Sequence, residues 1–155
     1  MPLRRSQIAL TPAEREEFLR TSHTIIFITN DRRGYPLPVA MWYEVDPDGS
    51  VVMTTFRKSE KVKNLEHDPR CSLLIETGRT YAELKGLIIR GRAQIDPDTE
   101  HVLDLLGRVN LKYNNLPNDG SLREVMRGQA SKRCLVRVIP EHISSWDHAK
   151  LGGRY

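Results

Sequence analysis

The chain has 155 residues, of which 39% are hydrophobic and 28% are charged, and its formal net charge is +4. This length and composition are typical of a soluble globular protein with enough apolar surface for its own core, so we expect residues 1–155 to form one domain. Aromatic residues are only 6% of the chain and are not interleaved with cations, which argues against a nucleic-acid partner.

Short apolar runs separated by turn residues predict an antiparallel meander in the first half of the chain. A helix is expected first, because Thr11 and Glu14 form a capping box with Pro12 at the first helical position. Strands are then predicted at residues 24–29, 37–45 and 50–55, with turns at 30–34 and 46–49.

The second half of the chain alternates between predicted strands and helices. Asp96 and Pro97 predict a helix start, with Asp96 as the N-cap, because apolar residues then recur at helical spacing from Val102 to Val109. Shorter helices are predicted at 59–66 and near 122–126, and strands at 70–77, 84–95, 135–139 and 142–146. Six or seven strands at hairpin spacing predict a mainly β (α+β) protein, a closed or partly closed barrel of largely antiparallel strands with peripheral helices.

The cysteines and the N-terminus indicate the compartment. Cys71 and Cys134 each lie in an apolar run without metal-binding spacing, which predicts buried thiols and no metal site. The first residues lack the apolar segment of an export signal, and no run is long enough for a membrane helix. We therefore expect a cytoplasmic protein without a membrane partner.

The most informative segment is the basic turn that follows the third strand, Thr54–Asn64. Its cations Arg57, Lys58 and Lys61 lie between the hydroxyl groups of the strand end and the start of a predicted helix. Unpaired N–H groups and the dipole at a helix start favour an anion, and cations add charge-assisted hydrogen bonds. The pattern is compatible with a phosphate site, and by itself it is equally typical of a solvated basic loop.

Several short motifs in a fixed order extend this interpretation. They are Arg33-Gly34-Tyr35-Pro36, Met41-Trp42-Tyr43, Met53-Thr54-Thr55, Lys58-Ser59-Glu60-Lys61, Asp68-Pro69-Arg70 and Ser145-Trp146-Asp147. With them, the chain resembles the flavin/deazaflavin oxidoreductases of the pyridoxamine 5′-phosphate oxidase-like superfamily, nearest to the actinobacterial branch that uses coenzyme F420. The resemblance implies a split β-barrel and a homodimer with the cofactor at the subunit interface. The C-terminal arginine and histidine pattern of true pyridoxamine 5′-phosphate oxidases is missing, so vitamin B6 oxidation is not expected.

The resemblance also implies which residues bind the cofactor. In the family, the backbone of the second strand contacts the ring edge, hydroxyls of the third strand lie near the ring, and the basic turn holds the phosphate. Lys61 and Asn64 match the family's lysine-x-x-asparagine element, and Trp146 reaches a ring in the same or the partner chain. These correspondences assign cofactor contacts to Pro38, Val39, Ala40, Met41, Thr54, Thr55, Arg57, Lys58, Ser59, Lys61, Asn64 and Trp146.

Three functions are compatible with these residues. The leading one is an F420-dependent oxidoreductase that transfers a hydride between the deazaflavin and an unsaturated small organic substrate. The second is an FMN-dependent reductase or oxidase of the same fold, and the third is a non-catalytic protein that binds a flavin-like or tetrapyrrole ligand. The cofactor itself supplies the difficult chemistry in such enzymes, so few catalytic side chains are expected and none is assigned.

The choice between F420 and FMN depends on cations beyond the phosphate. F420 carries a lactyl-oligoglutamate tail there, and the sequence offers Arg79, Lys85, Arg90 and Arg92 for it. These cations favour F420. Tyr81 is a candidate proton donor to the substrate, with a loop anchor as its alternative role.

Overall fold

The computed structural model describes residues 4–117 and 119–152, with the side chain of Arg4 excepted. Met1–Leu3, at the N-terminus where no export signal is expected, and the last three residues of the tail lie outside the described part. The described strands are β1 Ile25–Asn30, β2 Pro36–Met41, β3 Glu44–Val45, β4 Val51–Phe56, β5 Arg70–Thr77, β6 Lys85–Asp96 and β7 Arg133–Asp147. The described helices are α1 Arg4–Ile8, α2 Pro12–Thr21, α3 Glu60–His67, α4 Thr99–Asn114 and α5 Gly120–Ala130.

The seven strands form one sheet in the order β2-β1-β5-β6-β7-β4-β3, and every neighbouring pair is antiparallel. The sheet curls into a half-barrel, and the helices lie around it. The predicted mainly β split barrel with peripheral helices is therefore confirmed. Among the described helices, none combines the length and the apolar character needed to cross a bilayer.

The predicted meander of the first three strands forms only in part. Both antiparallel hairpin pairings are present, β1 with β2 and β3 with β4, but the predicted strand 37–45 is divided into β2 and β3, and β2 does not pair with β4. Tyr43 explains the break, because its side chain is fully buried and its hydroxyl donates to the carbonyls of Leu19 and Ser22. Its backbone N–H and carbonyl both bond to the Tyr113 hydroxyl, at 3.1 Å each, so they leave the ladder.

Two other boundaries differ from the sequence prediction. The strands predicted at 135–139 and 142–146 are one continuous strand, β7, with a bulge opposite Arg90 and Gly91. A Cβ on Gly91 would lie 2.1 Å from the carbonyl oxygen of Ile139, so the close approach at this bulge requires glycine. Helix α4 is capped by Asp98 rather than Asp96, since the Asp98 carboxylate accepts from the N–H groups of Glu100 and His101.

Two hydrophobic clusters fill the molecule on opposite faces of the curled sheet. The inner face is closed around residues such as Phe27, Met53 and Leu73, all 1% exposed or less. The outer face of β4 and of the first half of β7 is covered by α4 and α5, where Val52 and Leu135 pack against helical residues. Cys71 and Cys134 are buried free thiols, as predicted, and burial raises the pKa of Cys71 to about 12.

The rest of the outer face is less covered. In an antiparallel ladder, directly opposite residues share a face, so the register defines rows across the sheet. One row joins residues of five strands, Ala40, Ile26, Leu74, Ile88 and Ser144, and its large apolar members Ile26, Leu74 and Ile88 are partly exposed. We call the outer surface of β2, β1, β5, β6 and the second half of β7 the open face.

One buried hydrogen bond joins α3 to the barrel and supplies a stability prediction. The Asn64 side chain, 2% exposed, donates to the hydroxyl of the fully buried Thr29 at 3.1 Å. Thr29→Val removes the acceptor and leaves a buried amide unpaired, which we expect to lower the free energy of unfolding by about 1–3 kcal/mol. Urea unfolding measures the loss, and Thr77→Val on the exposed end of β5 is the control. Equal midpoints for the two variants would contradict the prediction.

Candidate functional site

The basic turn between β4 and α3 is held rigidly by backbone contacts. The Arg57 guanidinium donates from Nε to the Arg133 carbonyl at 2.7 Å and from Nη2 to the Pro97 carbonyl at 2.6 Å. Ser59 is the N-cap of α3, but its hydroxyl makes no capping bond and lies 3.4 Å from the Thr55 hydroxyl. The turn is therefore ordered by Arg57, while the Ser59 hydroxyl is not committed to the helix.

Two further cations, which the sequence analysis missed, lie at the same place. The turn from α5 into β7 brings Ser131 and Lys132 beside the basic turn. Together with Phe56, Arg57, Lys58 and Ser59 they line a groove of about 600 Å³. The sequence carried a signal, since Lys132 and Arg133 are adjacent at the start of a strand, but only the pairing of β4 with β7 shows what they adjoin.

Arg133 is the most unusual of these cations. Its guanidinium lies over the Phe56 ring, 4.3 Å from the centroid, and Nη1 is 3.4 Å from the Thr54 hydroxyl. Its Nε is buried without a hydrogen-bond partner, and burial lowers the pKa of the side chain. The buried Nε loses its hydration and gains no hydrogen bond from the protein, which is unfavourable unless a ligand supplies an acceptor.

Lys61 at the start of α3 is, like Arg133, a partly buried cation without a carboxylate partner in the described residues. Burial lowers the pKa of its ammonium group, and no hydrogen bond or ion pair engages it within the described chain. Of the cations around the basic turn, Arg57, Lys58, Lys61, Lys132 and Arg133, none pairs with a carboxylate in the described residues. These cations are therefore clustered without a carboxylate counter-charge, an arrangement that is suited to binding an anion.

The four residues assigned to β2 divide between its two faces. Ala40 lies opposite Ile26 and Pro38 opposite Ile28, so both are on the open face. Val39 lies opposite Phe27 on the inner face, and the Met41 side chain packs against the barrel core. Of the four β2 residues, only Pro38 and Ala40 therefore have side chains on the open face.

Trp146 lies on the same open face as Pro38 and Ala40, but on β7 rather than on β2. It is directly opposite Gly86 on β6, and a Cβ on Gly86 would be 2.1 Å from Cζ2 of the indole. The ring therefore lies flat against the backbone of β6. Just beyond it, the rings of His148 and Tyr81 are 4.5 Å apart, and His148 Nδ1 is 2.9 Å from the Tyr81 carbonyl oxygen. Because that oxygen can only accept, Nδ1 carries the proton.

Other predicted contacts lie in the interior or are engaged elsewhere. Thr55, 4% exposed, is paired to Cys134 on the inner face, and Asn64 is occupied by Thr29. Of the cations suggested for a cofactor tail, Lys85 lies over the Phe18 ring and Arg92 pairs with Glu141 at 3.0 Å. Arg90 lines a separate hollow on the open face.

The fold is a split β-barrel, and its basic turn carries cations that have no carboxylate partner in the described residues. The family model for pyridoxamine 5′-phosphate oxidase matches residues 11–147, so the chain belongs to this family. Membership of this family supports flavin-type binding or oxidoreduction as the kind of activity.

Solved structures of similar fold accompany the family match. The conserved hypothetical protein Rv2991 from Mycobacterium tuberculosis is 34% identical, with a TM-score of 0.90 over 97% of this chain and 93% of that one. An F420 reductase is 20% identical, with a TM-score of 0.66 over 83% and 94% of the two chains. A FAD-binding protein from Mesorhizobium loti is 17% identical, with a TM-score of 0.60 over 88% and 93%. No curated protein matches the chain.

The contact between Gly86 and Trp146 gives a prediction for the open face. Gly86→Ala places a methyl group where the indole lies, so we expect the ring to be displaced at a cost of about 1–3 kcal/mol, as in other overpacked sites. The chain has two tryptophans, so a Trp42→Phe background isolates the fluorescence of Trp146. Emission should shift to longer wavelength in the alanine variant. Gly128→Ala on α5, where a Cβ meets nothing within 4 Å, is the control and should leave the spectrum unchanged.

Proposed function

We propose that this protein is an F420-dependent oxidoreductase that transfers a hydride between the deazaflavin and an unsaturated small organic substrate. The observation that carries the proposal is the set of cations around the basic turn, which lack any carboxylate partner in the described chain. A phosphate-bearing cofactor would supply the missing counter-charge. The family membership and the likeness in fold to an F420 reductase are consistent with this choice.

The positions of these cations fit a ligand with more than one negative group. Ser59 and Lys132 line the same groove, Arg133 lies over the Phe56 ring of that groove, and Lys61 is in the first turn of α3. FMN carries one phosphate, whereas F420 carries a phosphate followed by glutamates. The additional cations therefore favour F420, and they replace Lys85 and Arg92, which are engaged elsewhere.

When bound, the deazaflavin supplies the hydride, since a carbon replaces the reactive ring nitrogen of a flavin. The chain's own residues bind, orient and shield it. Arg57, fixed by two backbone carbonyls, holds the turn in a preformed shape, which reduces the ordering cost of binding. The indole of Trp146 and the apolar residues of the open face would exclude water from the ring. We assign no residue to proton transfer.

We also propose that the protein acts as a homodimer with the cofactor at the subunit interface. The open face carries partly exposed apolar side chains of Ile26, Leu74 and Ile88 in one row across neighbouring strands. Burying such a row against a second copy is favourable, at about 25 cal/mol per Å² of apolar surface. A partner copy would thereby cover Ala40 and Trp146 and complete the ring site. Light scattering of the purified chain tests the assembly, and a monomer at micromolar concentration would contradict it.

Lys61→Ala tests whether the basic turn binds the cofactor. Loss of a desolvated cation should weaken F420 binding by about 1–3 kcal/mol, the scale of a charged hydrogen bond. Fluorescence titration with F420 measures the affinity. Lys63→Ala is the matched control two residues away, because Lys63 is 61% exposed and faces Glu60 at 3.6 Å. Equal affinities of the two variants for F420 would contradict the prediction and would support the alternative that the turn is a solvated loop without a ligand.

Lys132→Ala tests the preference for F420 over FMN. If Lys132 contacts groups beyond the phosphate, the variant should lose about tenfold in affinity for F420 but less than about twofold for FMN, since only F420 reaches it. Side-by-side titrations of both cofactors measure the difference. Tighter binding of FMN by the native protein would favour the FMN-dependent alternative. Tight F420 binding without turnover of a panel of enones and quinones would favour a carrier.

A further inference from the structure

A hollow of about 590 Å³ lies on the open face, away from the basic turn. Its polar lining comes from four strands, with Asn30 on β1, Arg70 and Ser72 on β5, Arg90 on β6, and Glu141 and His142 on β7. The register places Ser72, Arg90 and His142 in one row, directly opposite one another. The guanidinium of Arg90, the imidazole of His142 and the hydroxyl of Ser72 therefore line the same hollow.

The bulge in β7 decides the charge of this hollow. Gly91 pairs with Pro140 and Arg90 pairs with His142, so Glu141 is the extra residue and stands out of register. In a regular ladder Glu141 would lie opposite Arg90 and neutralise it. Instead its carboxylate accepts from Nε of Arg92 at 3.0 Å. The bulge thus leaves Arg90 without the Glu141 carboxylate, which still lines the hollow but is paired with Arg92.

The other cation of the hollow is already paired. Arg70 makes a two-pronged contact with the Asp68 carboxylate, at 2.8 to 3.2 Å. Arg90 is exposed, and no hydrogen bond or ion pair to it occurs within residues 4–117 and 119–152. The hollow therefore has one free guanidinium with its hydrogen-bonding fork available. A planar carboxylate matches such a fork with two parallel hydrogen bonds.

We propose that this hollow binds the carboxylate of the substrate, so that the protein acts on unsaturated organic acids. The inference rests on the proposed function, because the row that contains Arg90 adjoins the row of Ala40 and Ile88 on the open face, where the ring is expected. Arg90 anchors the acid, while His142 and Ser72 offer further polar contacts. A second copy over the open face would close the hollow into a chamber.

The test compares an acid with its uncharged analogue on the full-length protein, with and without F420. Cinnamate and cinnamamide have nearly the same shape, and calorimetric titration measures both. We expect cinnamate to bind at least about tenfold more tightly than cinnamamide, and Arg90→Gln to reduce this ratio to about twofold or less, because a charge-assisted bond is lost. Arg33→Gln is the matched control, because Arg33 is an exposed arginine in the turn between β1 and β2 that does not line the hollow, and it should keep the native ratio.

The affinity for F420 separates this inference from the proposed function. Arg90→Gln should bind F420 as the native protein does and should keep the native melting temperature. Equal binding of acid and amide by the native protein would overturn the inference while leaving the cofactor proposal intact. Weaker F420 binding by Arg90→Gln would overturn it as well, since Arg90 would then serve the cofactor tail.

Discussion

The pairing of one strand with two partners holds this structure together. β7, of fifteen residues, pairs with β6 along most of its length and with β4 over its first half. This double pairing turns the β4 hairpin away from β2 and curls the sheet into a half-barrel. It also joins the two parts of the candidate site, because β7 begins beside the basic turn at Arg133 and ends on the open face at Trp146.

Local patterns in the sequence were sufficient for most elements but not for their pairing. β5 begins and ends where the sequence predicts, and the first helix has its expected capping box at Thr11. The second predicted strand failed because Tyr43 is drawn into the core by contacts with α2 and α4, which are distant in sequence. The pairing of β4 with β7 could not be predicted, since a strand's alternation does not identify its distant partner across the sheet.

The candidate site likewise contains residues that could be predicted from the sequence and residues that could not. The basic turn could be found from the sequence, since its cations, hydroxyls and helix start are contiguous in the chain. Lys132 and Arg133 could not, because they join the turn only through a long-range ladder and reveal their role by lacking a partner. Val39, Met41 and Asn64 have side chains on the inner side, where the register and the packing of α3 place them.

Glu141, the extra residue at the bulge in β7, changes which face of the sheet the following side chains occupy. Side chains along a regular strand alternate, so two residues separated by an odd number of positions face opposite ways. Arg133 and Trp146 are separated by such an odd interval. Arg133 faces the outer side, because it lies two residues before Leu135, which packs against α4 there, and Trp146 lies on the outer side as well. The bulge adds one position midway along the strand, so side chains after it lie on the opposite face from the one that regular alternation would give them. One inserted position therefore lets a single strand show its cationic start and its indole end to the same side of the sheet.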